Sequence, residues 1–337
     1  MDRTTPLMID VIRGNLVESR HACRAVIAHS SGRLLDTWGA INAEVYPRSA
    51  IKPLQALPLV ESGAAEAHGL SDQEVALACA SHMGEDFHRN IVRKWLTRMG
   101  LSNDDLECGA HDPRDEDAAR DVIRRRETID RVFNNCSGKH SGFLTTALHL
   151  GEPTAGYTDA AHPVQRRLAD VLSALGGADL TTTARGIDGC GIPVLGMPLS
   201  ALARAMARFA DPRSLSDQRG LAAERIYASM TLHPTCVRGT RGFDTAVMRA
   251  GRGRFAAKTG AEGVHIGIVP ERQIGIAVKV EDGASRASGV ALCALLDHLD
   301  ILDDQARERL APFMDVSLTN LIGVPVGRVR PAPGWRD

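Results

Sequence analysis

The stretch GVHIGIVPERQIGIAVKV, at residues 263–280, decides the fold. Two runs rich in valine and isoleucine, 263–269 and 273–280, flank the triplet Pro270–Arg272. β-Branched residues favour strands, and a short triplet that begins with proline between two such runs is typical of a hairpin turn. The stretch therefore predicts two adjacent antiparallel strands near the end of the chain.

A second hairpin is predicted at the other end, where residues 23–28 and 33–38 flank turn residues 29–32. Other segments have apolar residues at helical spacing. The predicted helices are 52–60, 71–80, 86–99, 162–175, 197–209, 214–230 and 286–298. This layout predicts an α+β fold, with an antiparallel sheet from the terminal hairpins packed against helices. We expect one domain, 1–337, with an α/β lobe at about 1–60 and 240–337 and a mainly helical lobe at about 61–239.

Composition excludes several classes of protein. The chain has 337 residues, 44% hydrophobic and 24% charged, as in a soluble globular protein with a core. A net charge of -1 and an aromatic content of 4% argue against binding to nucleic acid or to an anionic membrane. There is no run of about 18 apolar residues, so no membrane span is predicted. Residues 1–6 lack a signal-peptide layout and the seven cysteines are scattered, so we expect a cytoplasmic protein.

A candidate nucleophile lies in Pro-Arg-Ser-Ala-Ile-Lys-Pro at 47–53, where Lys52 follows Ser49 by three residues. On a helix this spacing places the hydroxyl and the amine on one face, within reach of each other. A serine needs a neighbouring base to attack at neutral pH, and a lysine with a lowered pKa can serve. The pair alone is common in helices, so its meaning depends on other motifs.

Two further motifs extend this pair to a known set. Ser-His-Met at 81–83 follows a predicted helix, and Lys-Thr-Gly at 258–260 precedes the hairpin. Ser-x-x-Lys, Ser-x-Asn and Lys-Thr-Gly, in this order, are the elements of penicillin-binding proteins and serine β-lactamases. Here Met83 stands where asparagine is expected. This departure argues against β-lactam chemistry and leaves the acyl-transfer groups in place.

Five motifs together closely resemble the Rhizobium-type L-asparaginases, also called asparaginase II or class 3. The motifs are Pro-Arg-Ser-Ala-Ile-Lys-Pro (47–53), Ser-His-Met-Gly-Glu (81–85), Asn-Asn-Cys-Ser-Gly-Lys-His-Ser-Gly (134–142), Gly-Ile-Asp-Gly-Cys-Gly-Ile-Pro (186–193) and Ala-Lys-Thr-Gly-Ala-Glu-Gly (257–263). The resemblance covers nearly the whole chain. It implies a β-lactamase-like fold, a homodimer, and hydrolysis of L-asparagine to L-aspartate and ammonia.

The resemblance also implies roles for individual residues. The family's two Ser–Lys tandems correspond to Ser49 with Lys52 and to Ser81 with Lys258. The family's zinc ligands correspond to Cys136, Lys139 and Cys190, with water completing the shell. Residues that would contact the substrate are Arg48, His140, Asp188, Thr259 and Gly260. A lysine must lose its proton to bind zinc, so the binding is expected to depend steeply on pH. The ion is expected to fix two loops and to help hold the α-amino and α-carboxylate end of the substrate rather than to activate water.

The expected mechanism is acyl transfer, in which Lys52 takes the proton of Ser49 and Ser49 attacks the amide. The position of Ser49 at a helix start favours it, but the sequence leaves Ser81 open as the nucleophile. A glutaminase or another amide or β-lactam hydrolase on the same fold is one alternative, since one methylene separates glutamine from asparagine. A zinc-binding protein without catalytic activity is another. It predicts that Ser49, Lys52, Ser81 and Lys258 do not converge.

Overall fold

The computed structural model describes residues 2–336, so the end residues of the predicted domain, Met1 and Asp337, lie outside it. The main sheet contains the strands Asp2–Arg3, Leu7–Arg13, Leu16–His29, Leu34–Trp38, Ala256–Thr259, Val264–Val269, Ile274–Val280, Val316–Thr319 and Pro325–Pro331. Its pairs are antiparallel, except that the first of these strands pairs with the fourth in parallel. The predicted α+β architecture with an antiparallel sheet is confirmed.

Both predicted hairpins are present. Val264–Val269 pairs with Ile274–Val280, which pairs in turn with Leu16–His29, so the two ends of the chain meet at the centre of the sheet. The sequence analysis missed Leu7–Arg13 and the strands at 316–331, which extend the sheet on the other side of Leu16–His29. Two short pairs lie apart: Glu44–Val45 with Met197–Pro198, and Arg185–Ile187 with Pro193–Leu195.

Alternation along Leu16–His29 buries both faces of the sheet. Val26 belongs to the core cluster that includes the helix Leu199–Phe209. The next residue, Ile27, belongs to the cluster on the opposite face, with the helix Ser285–His298. The sheet is therefore covered by helices on both sides, which explains why its central strands are almost wholly apolar.

Gly275, in the strand Ile274–Val280, lets the helix Leu199–Phe209 approach the sheet. A Cβ atom added there would lie 2.3 Å from both Ala203 O and Ala207 N. We expect Gly275→Ala to lower the free energy of unfolding by about 1–3 kcal/mol, because the helix must move away from the strand. Gly109→Ala is the control, since a Cβ there meets nothing within 4 Å. Urea unfolding measures both variants, and equal stability would contradict the prediction.

Helices fill the middle of the chain. The α-helices are Lys52–Gln55, Leu57–Glu61, Ala64–Ala67, Asp72–Ala78, Asp86–Arg98, Glu116–Arg125, Ser137–His149, Pro163–Gly176, Leu199–Phe209, Asp217–Leu232, Pro234–Arg238, Phe243–Gly251, Ser285–His298 and Asp304–Met314. Short 3₁₀ turns occur at Arg48–Ile51, Asn103–Asp105, Arg131–Phe133, Pro212–Ser214 and Pro270–Arg272. Across residues 2–336, no helix has the length and apolar character needed to cross a membrane.

Two segments near the predicted site differ from expectation. The single helix predicted at 52–60 is divided, because Pro58 has no N–H to continue the hydrogen-bond pattern from Lys52–Gln55 into Leu57–Glu61. The composition of residues 134–142, rich in asparagine, serine and glycine, predicts a loop that leads into a helix, but the segment is already helical from Ser137 onward. Its glycines made it resemble a loop, but Gly138 is required by packing, since a Cβ there would lie 2.3 Å from Leu77 O.

Candidate active site

A cavity of about 170 Å³ lies between the turn Arg48–Ile51 and the end of the strand Ala256–Thr259. Several sequence-predicted residues line it: Arg48, Ser49, Ser81, Cys136, Asp188, Cys190, Thr259 and Gly260. Close packing holds the two walls together, since a Cβ added at Gly260 would lie 2.8 Å from Pro47 O. The fold therefore brings residues from distant parts of the chain to one cavity.

Ser81 lies between two lysine amines. Its Oγ accepts a hydrogen bond from Lys52 Nζ at 3.0 Å and another from Lys258 Nζ at 3.0 Å. Ser81 is 3% exposed, Lys52 1% and Lys258 0%, so the three groups meet where water is nearly excluded. The predicted contact between Ser81 and Lys258 is present.

The Ser81 position follows from the helix before it. Ser71 and Glu74 form a capping box that begins Asp72–Ala78, as the sequence predicts. After this helix ends, the Ser81 N–H donates to Val237 O at 3.0 Å. Two neighbouring segments thus fix the backbone on which the hydroxyl stands.

The Lys52 amine forms its hydrogen bonds with groups other than the Ser49 hydroxyl, contrary to the expectation from their spacing. Lys52 Nζ donates to Ala80 O, Ser81 Oγ and, at 3.1 Å, Cys136 Sγ. Within the described chain, no lysine amine bonds to Ser49, which is half-buried on the cavity wall. The reason is burial: an ammonium without water needs several acceptors, and these lie around Ala80. Burial lowers the pKa of Lys52, while the Cys136 sulfur raises it.

Lys258 is the lysine closest to neutrality. It lies in the strand Ala256–Thr259, and burial lowers its pKa to about 7. The Asp244 carboxylate, whose Oδ2 is 3.7 Å from Lys258 Nζ, raises this pKa, whereas the charges of Lys52 and Arg238 lower it. A lysine with a pKa near 7 can accept and return protons at neutral pH.

Asp244 supports the end of this strand. It accepts from the Thr259 hydroxyl at 2.5 Å and from Thr259 N–H at 3.0 Å. Burial opposes the charge of Asp244, but the hydrogen bond to His265 and the charge of Lys258 hold the pKa of its carboxyl well below the usual range. The Thr259 hydroxyl also lies 2.7 Å from His265 Nε2. The role of Thr259 in substrate binding therefore stays a prediction.

The three residues that correspond to the family's zinc ligands, Cys136, Lys139 and Cys190, lie close together. Lys139 Nζ donates to Cys190 Sγ at 3.0 Å, and the Cys190 thiol lies beside the Cys136 thiol. The neighbouring Cys190 thiol, with the charges of Lys52 and Lys139, holds the pKa of Cys136 well below its ordinary value, although burial raises it. The two cysteine sulfurs are ordinary zinc ligands, and a site with three protein ligands leaves a position for water. The Lys139 amine would complete this set only after it loses its proton, so the residues fit the ion in the deprotonated state of Lys139.

Arg48 and Asp188 form an ion pair on the cavity wall, with Arg48 Nη2 at 2.9 Å from Asp188 Oδ1. Arg48 has a φ of +51°, in the left-handed region that costs a non-glycine residue about 1 kcal/mol or more. Such backbone strain is typical of functional sites. Both residues lie where the sequence analysis places them, with the Arg48 charge already balanced by Asp188.

His140 lies behind the cavity rather than on its wall. It is fully buried, and its Nδ1 bonds to the Tyr157 hydroxyl at 2.7 Å. Burial holds its pKa well below the ordinary value, so the ring is neutral. The expectation of a pocket-lining histidine came from the place of His140 in the family motif at 134–142. On the helix Ser137–His149, His140 is directed into the core next to Tyr157.

Sequence reasoning missed four residues of the site: Arg114, Arg238, Asp244 and His265. Arg114 and Arg238 line the cavity, and Arg238 Nη1 donates to Ser81 O at 3.2 Å. Asp244 lies 3.7 Å from Lys258 Nζ, and His265 Nε2 lies 2.7 Å from the Thr259 hydroxyl. None of the four belongs to a short motif with the residues it contacts, so only the fold identifies them.

Comparison with curated proteins gave no match. Among solved structures, a native form of the protein Mglu is 16% identical with a TM-score of 0.49, and the match covers 83% of this chain and 61% of Mglu. A β-lactamase from Mycobacterium bovis is 14% identical, with 86% and 94% covered and a TM-score of 0.42. A β-lactamase from Sphaerobacter thermophilus is 14% identical, with 87% and 92% covered and a TM-score of 0.38. TM-scores at this level carry no argument about activity.

The comparison with protein families shows the family to which the chain belongs. The family model described as L-asparaginase II matches residues 9–331, nearly the whole chain. The family resemblance inferred from the five motifs is thereby confirmed. The chain belongs to the L-asparaginase II family.

Proposed function

We propose that the protein hydrolyses the side-chain amide of L-asparagine to L-aspartate and ammonia through a serine ester. The observation that carries the proposal is the Ser81 hydroxyl, bonded to both Lys52 and Lys258 on the cavity wall. A zinc-binding protein without activity has no use for a hydroxyl between two buried amines. This contact therefore disfavours that alternative.

The contacts favour Ser81 as the nucleophile, although the sequence favoured Ser49. Neutral Lys258 takes the Ser81 proton while Oγ attacks the side-chain carbonyl of asparagine. Its pKa of about 7 leaves a large neutral fraction at neutral pH. Lys52 donates to the same oxygen and lowers the free energy of the forming alkoxide.

The leaving nitrogen receives its proton from Lys258. When the bond between the carbonyl carbon and the amide nitrogen breaks, the Lys258 ammonium protonates the nitrogen, and ammonia departs. An aspartyl ester remains on Ser81. A water molecule then gives a proton to Lys258 and attacks the ester carbonyl, and Ser81 regains its proton as L-aspartate leaves. The cycle thus balances with Lys258 as base, then acid, in each half.

Ser49 is assigned to stabilisation of the oxyanion. It lies in the first turn of the helical segment beginning at Arg48, where backbone N–H groups lack intrahelical partners. Such a donor near a tetrahedral intermediate is worth about 3 kcal/mol. The left-handed Arg48 directs the chain at this point, so it positions Ser49 on the cavity wall.

The zinc proposal rests on Cys136, Lys139 and Cys190, which would hold the ion beside the cavity. The bound ion would join the helix start to the turn at 188–191 and supply positive charge near the substrate. We expect Cys190→Ser to lose most bound zinc, because one of two sulfur ligands is removed. Cys293→Ser is the control, since Cys293 is buried in a different core cluster. Metal analysis after dialysis measures both, and a wild-type protein that takes up no zinc would contradict the proposal.

The direct test of function is ammonia release by the purified protein. L-Asparagine should be hydrolysed with a higher kcat/KM than L-glutamine or a penicillin. A higher value for L-glutamine would identify a glutaminase on the same site. Failure to hydrolyse any of the three would overturn the proposed activity.

A further inference from the structure

We propose that Arg114 and Arg238 form a carboxylate subsite in the active cavity, and that it binds the α-carboxylate of the substrate. The proposal rests on the asparaginase activity proposed above and names how that site recognises a free amino acid. Both guanidinium-bearing residues line the cavity that contains Ser81. Both also lie next to the Ser81–Met83 segment, Arg238 through its bond to Ser81 O and Arg114 through its bond to Met83 O.

Arg114 is held in place by its backbone. The N–H groups of Arg114 and Asp115 donate to Met83 O at 2.9 Å and 3.0 Å. Gly84 fits against Pro113, since a Cβ at Gly84 would lie 2.9 Å from Pro113 Cα. The segment that carries Arg114 is thus attached to the turn that follows Ser81.

Arg238 is attached to Ser81 itself. The Ser81 N–H donates to Val237 O at 3.0 Å, and Arg238 Nη1 donates to Ser81 O at 3.2 Å. A guanidinium has five N–H donors, so this bond leaves others for a ligand. Arg238 is the last residue of the helix Pro234–Arg238.

The two guanidinium groups differ from other arginines near the site in lacking an acidic partner. Arg48 is paired with Asp188 at 2.9 Å, and Arg241 is paired with Asp115 at 2.7 Å. Among the residues from 2 to 336, no Asp or Glu forms an ion pair with Arg114 or Arg238. Lys52, whose Nζ donates to Ser81 Oγ, adds positive charge beside the same cavity, which favours an anion there.

Repulsion between the Arg114 and Arg238 side chains also supports a carboxylate ligand. Burial lowers the pKa of Arg114, and the charge of Arg238 lowers it further, so the two cations are close enough to repel each other. Holding two unpaired cations together costs free energy that a bound carboxylate would offset. Guanidinium groups suit this ligand because their N–H donors match carboxylate oxygens in pairs.

The ligand class follows from the proposed reaction. L-Asparagine carries one carboxylate, on its α-carbon, and its amide must reach Ser81. A carboxylate bound by Arg114 and Arg238 would orient the amide toward the nucleophile. An asparagine whose α-carboxyl is blocked, as within a peptide, would leave both cations unpaired and would bind poorly.

The test compares two substrates on one variant. Arg114→Gln should lower kcat/KM for L-asparagine by about 10- to 100-fold, mainly through KM, because a charge-assisted contact to the carboxylate is lost. For 3-aminopropanamide, which lacks the α-carboxylate, the same variant should change kcat/KM by less than about twofold. Arg114→Lys should recover part of the loss. Equal losses for both substrates, or no loss for L-asparagine, would overturn the subsite.

Arg114 is the informative position because Arg238 also affects Lys258. The charge of Arg238 lowers the pKa of Lys258, so Arg238→Gln should move the pH profile of kcat toward higher pH. Arg114→Gln should leave the profile in place. Arg124→Gln, at an exposed arginine paired with Asp121, is the matched control.

Direct binding separates the subsite from the activity. Calorimetry should show that Arg114→Gln weakens the binding of L-aspartate and leaves the binding of 3-aminopropanamide unchanged. This result in a protein that releases no ammonia would overturn the proposed reaction and support the subsite. Ammonia release by the wild type with unchanged L-aspartate binding by the variant would support the reaction and overturn the subsite.

Discussion

Ser81→Ala should reduce kcat for L-asparagine by roughly 10⁴- to 10⁶-fold, the scale seen when a covalent nucleophile is removed. The reason is that Ser81 Oγ is the hydroxyl in contact with both Lys52 and Lys258. Lys52 keeps two other acceptors, Ala80 O and Cys136 Sγ, so the variant should fold. Steady-state ammonia release and thermal unfolding, measured together, check the two expectations.

Ser49→Ala is the matched control for this prediction. Ser49 lines the same cavity, but its assigned contribution comes from its backbone N–H, which alanine retains. We therefore expect a loss of no more than about 100-fold. If Ser81→Ala kept nearly full kcat and Ser49→Ala were inactive, Ser49 would be the nucleophile. That result would contradict the role given to Ser81.

Lys258→Met should reduce kcat by about 10²- to 10⁴-fold, the usual value of a positioned general base. In the wild type, kcat should rise with pH through about 7, because only the neutral amine of Lys258 accepts a proton and its pKa is lowered to about 7. The charged groups near it are Asp244 and Cys136, which raise this pKa, and Lys52 and Arg238, which lower it. In Lys258→Met, kcat should no longer rise with pH through this range.

Lys279→Met is the control for the general base. Lys279 lies in the strand Ile274–Val280 and donates to Glu262 O, away from Ser81. It should leave both kcat and the pH profile nearly unchanged. If Lys258→Met kept a wild-type pH profile, another group would be the base.

Sequence alone predicted the elements with local signals. The hairpin at 263–280 followed from β-branched runs around a turn, and the helix Asp72–Ala78 followed from its capping box. The division of the 52–60 segment and the helix start at Ser137 were missed. In both cases a proline or a glycine was present for packing or chain direction, and local propensity does not distinguish these uses.

Contacts across the fold were harder to predict. The spacing of Ser49 and Lys52 is compatible with a direct bond, yet Lys52 bonds to Ser81, 29 positions along the chain, because its buried amine needs the acceptors there. Arg114 and Arg238 carry no sequence signal, since an isolated arginine is most often a surface charge. Motif order was sufficient for the family and most of the cavity wall, whereas the pairing of charges required the structure.

The most direct test of the account is the site of the covalent intermediate. Wild-type protein mixed with L-asparagine and quenched rapidly in acid should carry one aspartyl group, detected by intact mass and located by peptide mapping. We predict an ester on Ser81 that is absent in Lys258→Met. An ester on Ser49, or rapid turnover in which no ester forms on any residue, would contradict it.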